Sequence, residues 1–316
     1  MYAVQVENLV KQYKNGVQAL SGLTLSVRQG ELFSLLGQNG AGKSTLIRIL
    51  TTYLKPTSGS VTMFGKDICR EAAAVRREVA CVSQQTSIDT YLSLEENMLF
   101  QSRLYRIPRS AARDRMETLI DAFGLAEYRS YPVSSYSGGI KRRLDIALNL
   151  MSNPKLLFLD EPTVGMDLQS RRLMWEMIRK IRSEFGTTVF LTTHYLEEAD
   201  QLSDNICIMR DGREVVQGTP YELRAYTRQN MVRIHVHSAG AAGEYLPRLK
   251  ACFPDRKVSA KGAQIAVHTQ EDQSDMARAA RFLLREEIPF SGIEVAQPTL
   301  EDVFLRFTTD GEEGIK

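Results

Sequence analysis

Gly37-Gln38-Asn39-Gly40-Ala41-Gly42-Lys43-Ser44-Thr45 is the stretch that decides how this chain is read. It fits GxxxxGK[ST], follows the strand-like run Glu31–Leu36 and opens the helical run Thr45–Leu50. That strand–loop–helix setting is the one the pattern requires. Its glycines let the backbone curl until successive N–H groups converge on one anion. The helix start adds partial positive charge. A lysine here reaches β and γ phosphates, and the hydroxyl beside it suits Mg2+. Gly37, Asn39, Gly40, Gly42, Lys43, Ser44 and Thr45 are therefore read as a phosphate cradle, with Ser44 as a metal ligand.

Two further stretches bear on that cradle. Leu156-Leu157-Phe158-Leu159 ends in Asp160-Glu161-Pro162. A buried strand of an open α/β sheet delivers its last residues to the carboxyl edge, where such sheets bind ligands. Asp160 is placed to hold Mg2+ through water, and Glu161 to polarise an attacking water. Tyr136-Ser137-Gly138-Gly139-Ile140, followed by Lys141-Arg142-Arg143, reads as a second anion nest at a helix start. Two such nests do not easily serve one nucleotide in one monomer. A head-to-tail dimer, in which each chain completes the other's site, resolves the conflict.

Working outward, residues 1 to about 225 alternate strand-like and helical runs, which predicts a parallel sheet of the α/β type. The expected strands are Ala3–Leu9, Leu23–Val27, Glu31–Leu36, Val61–Met63, Val79–Val82, Leu156–Leu159, Val189–Thr192, Asn205–Arg210 and Glu214–Gly218. Residues 85–150 break this rhythm with long helical runs such as Leu94–Tyr105 and Ala111–Phe123, and read as a helical insertion. Lys55-Pro56-Thr57-Ser58-Gly59 and Asp211-Gly212 read as hairpin punctuation. Residues 226–307 form a second unit of β-α-β-β-α-β order, expected to be a small α+β ferredoxin-like domain. Pro298-Thr299-Leu300-Glu301-Asp302 opens a last helix, and residues 308–316 read as a frayed tail.

Composition excludes several classes. With 40 Lys plus Arg against 38 Asp plus Glu, the net charge is +2, which argues against bulk electrostatic binding to nucleic acid or anionic lipid. The apolar runs are far shorter than the ~20 residues of a spanning helix. Met1–Val10 reads as a strand rather than a leader, so a cytosolic chain is expected. Cys69, Cys81, Cys207 and Cys252 have no zinc-type spacing and read as buried or inert thiols. His235 and His237 sit at strand spacing with no ligand partners beside them in sequence.

Taken together, the phosphate loop, Gln84, Ser137-Gly138-Gly139, Asp160-Glu161 and His194 resemble the full motif set of the ATP-binding cassette (ABC) family. The resemblance covers residues 1 to about 225. It implies a P-loop NTPase cassette, a mixed sheet core with a helical subdomain, that binds and hydrolyses ATP with Mg2+. Tyr13 matches the aromatic that stacks on adenine. Gln84, or its neighbour Gln85, matches the glutamine that senses Mg2+ and couples to the membrane partner. Asp167 matches the loop that crosses the dimer interface, and His194 the histidine that contacts the γ-phosphate. Tyr136, Ile140 and Leu168 depart from the family's usual leucine, glutamine and proline. At Ile140 the resemblance implies an interface without the hydrogen bond of the usual glutamine.

Tyr136 with the basic triplet, His194-Tyr-Leu-Glu-Glu-Ala-Asp200 and Pro298-Thr-Leu-Glu-Asp-Val-Phe-Leu305 look like the daunorubicin-resistance type of exporter ATPase. Sodium, lantibiotic-immunity and polysaccharide exporters carry similar subunits. The resemblance implies an ATPase at the cytoplasmic face of the cell membrane, paired as a homodimer or heterodimer beneath a separate permease, with no nucleic acid bound. The alternative is an ABC ATPase of translation or DNA repair. The single phosphate loop and the lack of a long heptad run count against it. The second unit is read either as a packing appendage or as a regulator of the cassette dimer. Its strand Val232, Ile234 and Val236 and its helix face Val303, Phe304 and Phe307 call for a covering surface.

Overall fold

In the computed structural model the apolar run before the glycine-rich stretch and the run before Asp160 belong to one parallel sheet. The structure describes residues 1–226, 230–269, 272–296 and 298–309, which divide into two units, Met1–Pro220 and Tyr221–Lys316. The first unit begins with β1 (Tyr2–Gln12), β2 (Gln18–Arg28), β3 (Leu32–Gly37), α1 (Lys43–Leu50), β4 (Ser58–Met63), β5 (Lys66–Asp67), α2 (Ala72–Arg76) and β6 (Val79–Val82). It continues with α3 (Leu94–Leu104), α4 (Arg109–Ala122), α5 (Gly138–Leu150), β7 (Leu156–Asp160), α6 (Leu168–Ser183), β8 (Thr188–Thr193), α7 (Leu196–Leu202), β9 (Asn205–Arg210) and β10 (Arg213–Gly218).

The central sheet runs β10-β9-β3-β8-β7-β6. Its strands from β9 to β6 are parallel, and β10 closes the edge antiparallel to β9. Strands covered on both faces carry continuous apolar runs, and every residue of β3 and β8 is buried. Phe33, Phe190 and Phe158 are cross-strand neighbours, with ring centroids 5.0 and 5.3 Å apart. Aromatic pairs of this kind add about 0.5–1.5 kcal/mol beyond area burial. Because the strands are parallel, Gly37, Val82, Asp160 and Thr193 all arrive at one carboxyl rim.

The reading of a parallel sheet across the whole first unit is corrected. A separate antiparallel sheet forms in the order β2-β1-β4-β5. β1 and β2 are joined by the tight turn in which the Tyr13 amide donates to the Val17 carbonyl at 2.8 Å, and a hairpin can only pair antiparallel. Residues 55–59 do not make a hairpin either. They lead into β4, where Gly59 at φ 88° packs against Asn8 so closely that a Cβ would lie 2.4 Å from its carbonyl oxygen. Asp211 and Gly212, both at positive φ, do turn β9 into β10.

Residues 85–150 hold α3, α4 and α5 around a shared core that includes Leu94, Met98, Met116, Leu119, Leu144 and Leu148. α3 starts on a capping box, with Ser93 and Glu96 satisfying each other's backbone amides. Of the cysteines, Cys207 is buried and Cys81 half-buried, but Cys69 is exposed. Burial pushes the Cys81 thiol up to about 12.

The second unit contains α8 (Pro220–Ala225), β11 (Asn230–His235), α9 (Ala239–Cys252), β12 (Val258–Lys261), β13 (Gln264–Thr269), α10 (Asp272–Arg285), β14 (Gly292–Ala296) and α11 (Leu300–Thr309). Its sheet runs β12-β13-β11-β14, antiparallel throughout. That is the strand order of a ferredoxin-like β-α-β-β-α-β fold. Val232, Ile234, Leu249, Phe253, Ile265 and Val267 form its core. His235 Nε2 lies 3.2 Å from Glu294 Oε1, a polar partner supplied by the neighbouring strand. Val303 is buried, and the Phe307 ring meets Tyr226 edge-on at 6.1 Å, so these two find cover within the unit. Thr308 and Thr309 belong to α11, and residues 310–316 of the expected tail lie outside the described residues.

Candidate active site

The phosphate loop leaves β3 at Gly37 and enters α1 at Lys43. Gly42 caps α1 at φ 107° without a side-chain acceptor, and the first turn carries no acid. The N-terminal amides of α1 thus find no acceptor in a capping side chain. Gly42 is fixed by space as well as by φ: a Cβ there would lie 2.5 Å from the Ala19 carbonyl oxygen and 2.9 Å from Met209 Cε. Gln38, Asn39, Gly40 and Ser44 are exposed. Lys43 is buried and curls back, its Nζ donating to the Gly37 carbonyl at 2.6 Å and the Gln38 carbonyl at 3.2 Å. Burial holds the Lys43 ammonium below the usual lysine range, opposed by the Glu161 and Asp160 carboxylates. Tyr13 is half-buried, and its hydroxyl sits 3.2 Å from Thr45 Oγ1, at the loop's outer end.

Glu161 gathers the remaining groups. Its Oε2 accepts from Gln84 Nε2 at 2.8 Å, and its Oε1 lies 3.3 Å from His194 Nδ1. Gln84 follows β6, Glu161 follows β7 and His194 follows β8. Three adjacent parallel strands therefore converge on one carboxylate. Glu161 has φ 47°, a left-handed conformation rare for a residue with a side chain. Its amide donates to the Thr192 carbonyl at 3.1 Å and to Thr192 Oγ1 at 3.2 Å. Thr192 Oγ1 also donates to Asp160 Oδ1 at 2.6 Å, which fixes that carboxylate at the rim.

Ser137 and Gly138 are exposed, and Gly139 is half-buried. Ser137 caps α5, accepting from the Ile140 amide. Gly139 faces Ser170, whose amide and hydroxyl donate to Asp167 at 2.9 and 2.7 Å. The Ser-Gly-Gly turn and the Asp167 turn thus form one exposed ledge. The Ser170 amide bond, then its hydroxyl, holds the Asp167 carboxyl below the usual range. Tyr136 is buried, its hydroxyl donating to the Tyr128 carbonyl at 2.6 Å, and Ile140 is buried in the helical core.

Sequence reasoning gave Thr192 and Asp145 no place in the site, and read Arg142 only within the basic triplet and Glu198 only within a family-like stretch. Buried Arg142 donates to the carbonyls of Ser83 and Asp160. Buried Glu198 accepts from Thr163 Oγ1 at 2.8 Å and Trp175 Nε1 at 3.0 Å, tying the turn after Glu161 to α6 and α7. The available signal was a charged residue on an otherwise apolar helix face, as with Arg142 and Asp145 beside Leu144 and Ile146.

Among the described residues no cluster of three His, Cys, Asp or Glu side chains is disposed to hold a metal. The residues expected to hold Mg2+, Asp160, Ser44 and Gln84, offer a carboxylate, a hydroxyl and an amide oxygen. Oxygen ligands few in number suit Mg2+, which keeps waters and takes its remaining ligands from phosphates.

A phosphate loop beside an acid-tipped parallel strand defines the class, a P-loop nucleotide hydrolase. The family model described as ABC transporter matches residues 20–164. The daunorubicin/doxorubicin resistance ATP-binding protein DrrA of Streptomyces peucetius is 40% identical over 97% of this chain and 92% of its own. The Nod factor export ATP-binding protein I of Ralstonia nicotianae is 34% identical over 96% of this chain and 93% of its own. The solved dimeric structure of an ATP-binding cassette in a post-hydrolysis state, bound to ADP and Pi, superposes with TM-score 0.61 and 28% identity, covering 68% of this chain and 98% of that one. The chain belongs to the ABC transporter family as an ATP-binding, ATP-hydrolysing subunit.

Proposed function

We propose that this chain powers the export of a drug, antibiotic or peptide through a separate membrane permease, and that it works as a pair of subunits closing over MgATP. The observation that carries the reading is the Glu161 carboxylate, held by Gln84 and His194 at the rim that also bears Lys43. The names of the relatives, drug resistance and Nod factor export, support efflux as the work performed. Among the described residues no helix is long and apolar enough to cross a membrane. In this reading a separate permease chain keeps the subunit at the cytoplasmic face.

Each residue then has a task. Lys43 releases its own loop carbonyls and turns to the β and γ phosphates, where a charge-assisted bond is stronger than a neutral one. Tyr13 supports the adenine. Glu161 accepts the proton of the attacking water, and His194 and Gln84 keep its two oxygens aimed. Asp160, Ser44 and Gln84 would hold Mg2+, which would neutralise phosphate charge. Ser137, Gly138, Gly139 and Asp167 lie on the exposed ledge and serve the nucleotide of the partner subunit. The first unit, Met1–Pro220, is then the ATPase cassette, and the second, from Tyr221, an accessory domain whose described residues include none of these groups.

The test is ATP turnover in vesicles that carry this chain with a candidate permease. Hydrolysis that needs Mg2+ and rises with the exported compound is expected. Turnover that ignores every such compound, or no Mg2+-dependent hydrolysis at all, overturns the reading.

A further inference from the structure

We infer that Arg142 is a positioning residue for hydrolysis: its guanidinium clamps the segments that carry Gln84 and Glu161 and so sets their alignment. The inference rests on Glu161 as the base. The β6–β7 ladder ends at the pair Val82 and Leu159. One residue further stand Ser83 and Asp160, which the ladder does not pair. At that point Arg142 Nη1 donates to the Ser83 carbonyl and Nη2 to the Asp160 carbonyl at 3.1 Å. The guanidinium is planar, its donors lie in a fixed fork, and it replaces the next rung of the sheet.

The carbonyl of Asp160 belongs to the peptide that leads into Glu161. Glu161 sits at φ 47°, and such a conformation persists only where its surroundings over-determine it. Thr192 holds one side of that peptide link through the Glu161 amide, and Arg142 holds the other through the Asp160 oxygen. Asp145 steadies the clamp. Its Oδ2 is 3.5 Å from Arg142 Nη1, and its Oδ1 accepts from the Ser87 amide at 3.2 Å and Ser87 Oγ at 2.8 Å. Arg142 and Asp145 are both almost wholly buried, 5% and 1% exposed. Both stand on α5, the helix that Ser137 caps. A displacement of that ledge therefore acts on the alignment of Gln84 with Glu161 through one rigid helix.

The experiment measures hydrolysis and nucleotide affinity of the full-length chain for Arg142→Lys, Asp145→Asn, Glu161→Gln and the double variant Arg142→Lys/Glu161→Gln. A lysine keeps the charge but offers no planar fork to span two carbonyls. Arg142→Lys is expected to lower kcat about tenfold or more, within the scale of losing an aligned base, with ATP affinity within twofold of the parent. Asp145→Asn is expected to move kcat in the same direction by a smaller factor. The double variant is expected to be no slower than Glu161→Gln alone, since Arg142 acts through Glu161. Parental kcat in folded Arg142→Lys overturns the inference, as does a double variant whose losses simply multiply. If Arg142→Lys does not fold, parental kcat in Asp145→Asn overturns it instead. Undiminished turnover in Glu161→Gln refutes the base assignment itself, which separates that failure from failure of the clamp.

Discussion

Gln84 donates to Glu161 at 2.8 Å across 77 positions of sequence. The bond joins the second residue beyond β6 to the first residue beyond β7, and it engages the Gln84 amide nitrogen rather than its oxygen. Gln84 is exposed, so this bond stands at the surface of the unit.

Glu161→Gln removes the proton acceptor but keeps both polar neighbours supplied. Turnover is expected to fall by about 10²-fold or more, with MgATP binding retained and a closed dimer accumulating. Phosphate release and light scattering check the two halves separately. Undiminished phosphate release would falsify the assignment of the base.

Lys43→Ala removes a buried cation that two loop carbonyls and two carboxylates surround. Most nucleotide affinity is expected to disappear, while the thermal midpoint stays near the parent's. A nucleotide titration settles the point, and equal affinity in both proteins contradicts the reading of the loop.

Gly42→Ala separates backbone geometry from charge. Its Cβ would meet the Ala19 carbonyl at 2.5 Å, and φ 107° is closed to L-residues. The variant is expected to lose both nucleotide binding and several degrees of thermal midpoint. Calorimetry with and without ATP measures both, and a parental midpoint would show that the loop relaxes around the methyl group.

Much of the site was legible because its residues stand at strand ends that a single sequence already marks. Gly37, Asp160 and His194 each follow an apolar run, and the parallel sheet does the rest. Ser137 was legible at a helix start and Asp167 through the family resemblance, and the bonds each makes within this chain prove to be helix caps. The clamp of Arg142 was not legible, because its partners are backbone carbonyls, which leave no trace in residue identity. The separate sheet β2-β1-β4-β5 escaped for a related reason. Whether a strand after a helix returns in parallel or crosses to another sheet depends on long-range pairing, and Val61–Met63 looks the same in either place.

Glu198 makes stability depend on pH. Burial, opposed by bonds from Thr193, Thr163 and Trp175 and by the Arg171 charge, holds its carboxyl above the ordinary value of 4.5. A group raised in the folded state contributes fully below its unfolded pKa, and that contribution is lost as pH rises through the folded pKa. The loss therefore starts above about pH 4.5 and proceeds toward neutrality. Glu198→Gln keeps an acceptor for Thr163 and Trp175 but cannot ionise. Its thermal midpoint is expected to fall less than the parent's between acid and neutral pH. Identical slopes would mean that other raised groups, Glu31, Asp145 and Glu214, carry the whole effect.

The paired arrangement gives the last prediction. Gly138 has nothing within 4 Å of an added Cβ, so Gly138→Ala costs this chain no internal contact. Ser137→Arg loses only an N-cap, worth about 1 kcal/mol. If both residues serve the partner's nucleotide, each variant keeps nucleotide binding in the monomer yet loses turnover in the dimer. Mixing Ser137→Arg with Lys43→Ala subunits tests the division directly. In a two-fold pair, one composite site then joins an intact phosphate loop to an intact ledge, while the other carries both lesions. Random pairing makes about half of the dimers mixed, so activity near a quarter of the parent's is expected from two inactive preparations. A mixture as inactive as its components, in the presence of demonstrated mixed dimers, would place Ser137 and Lys43 at the same nucleotide and end the head-to-tail reading.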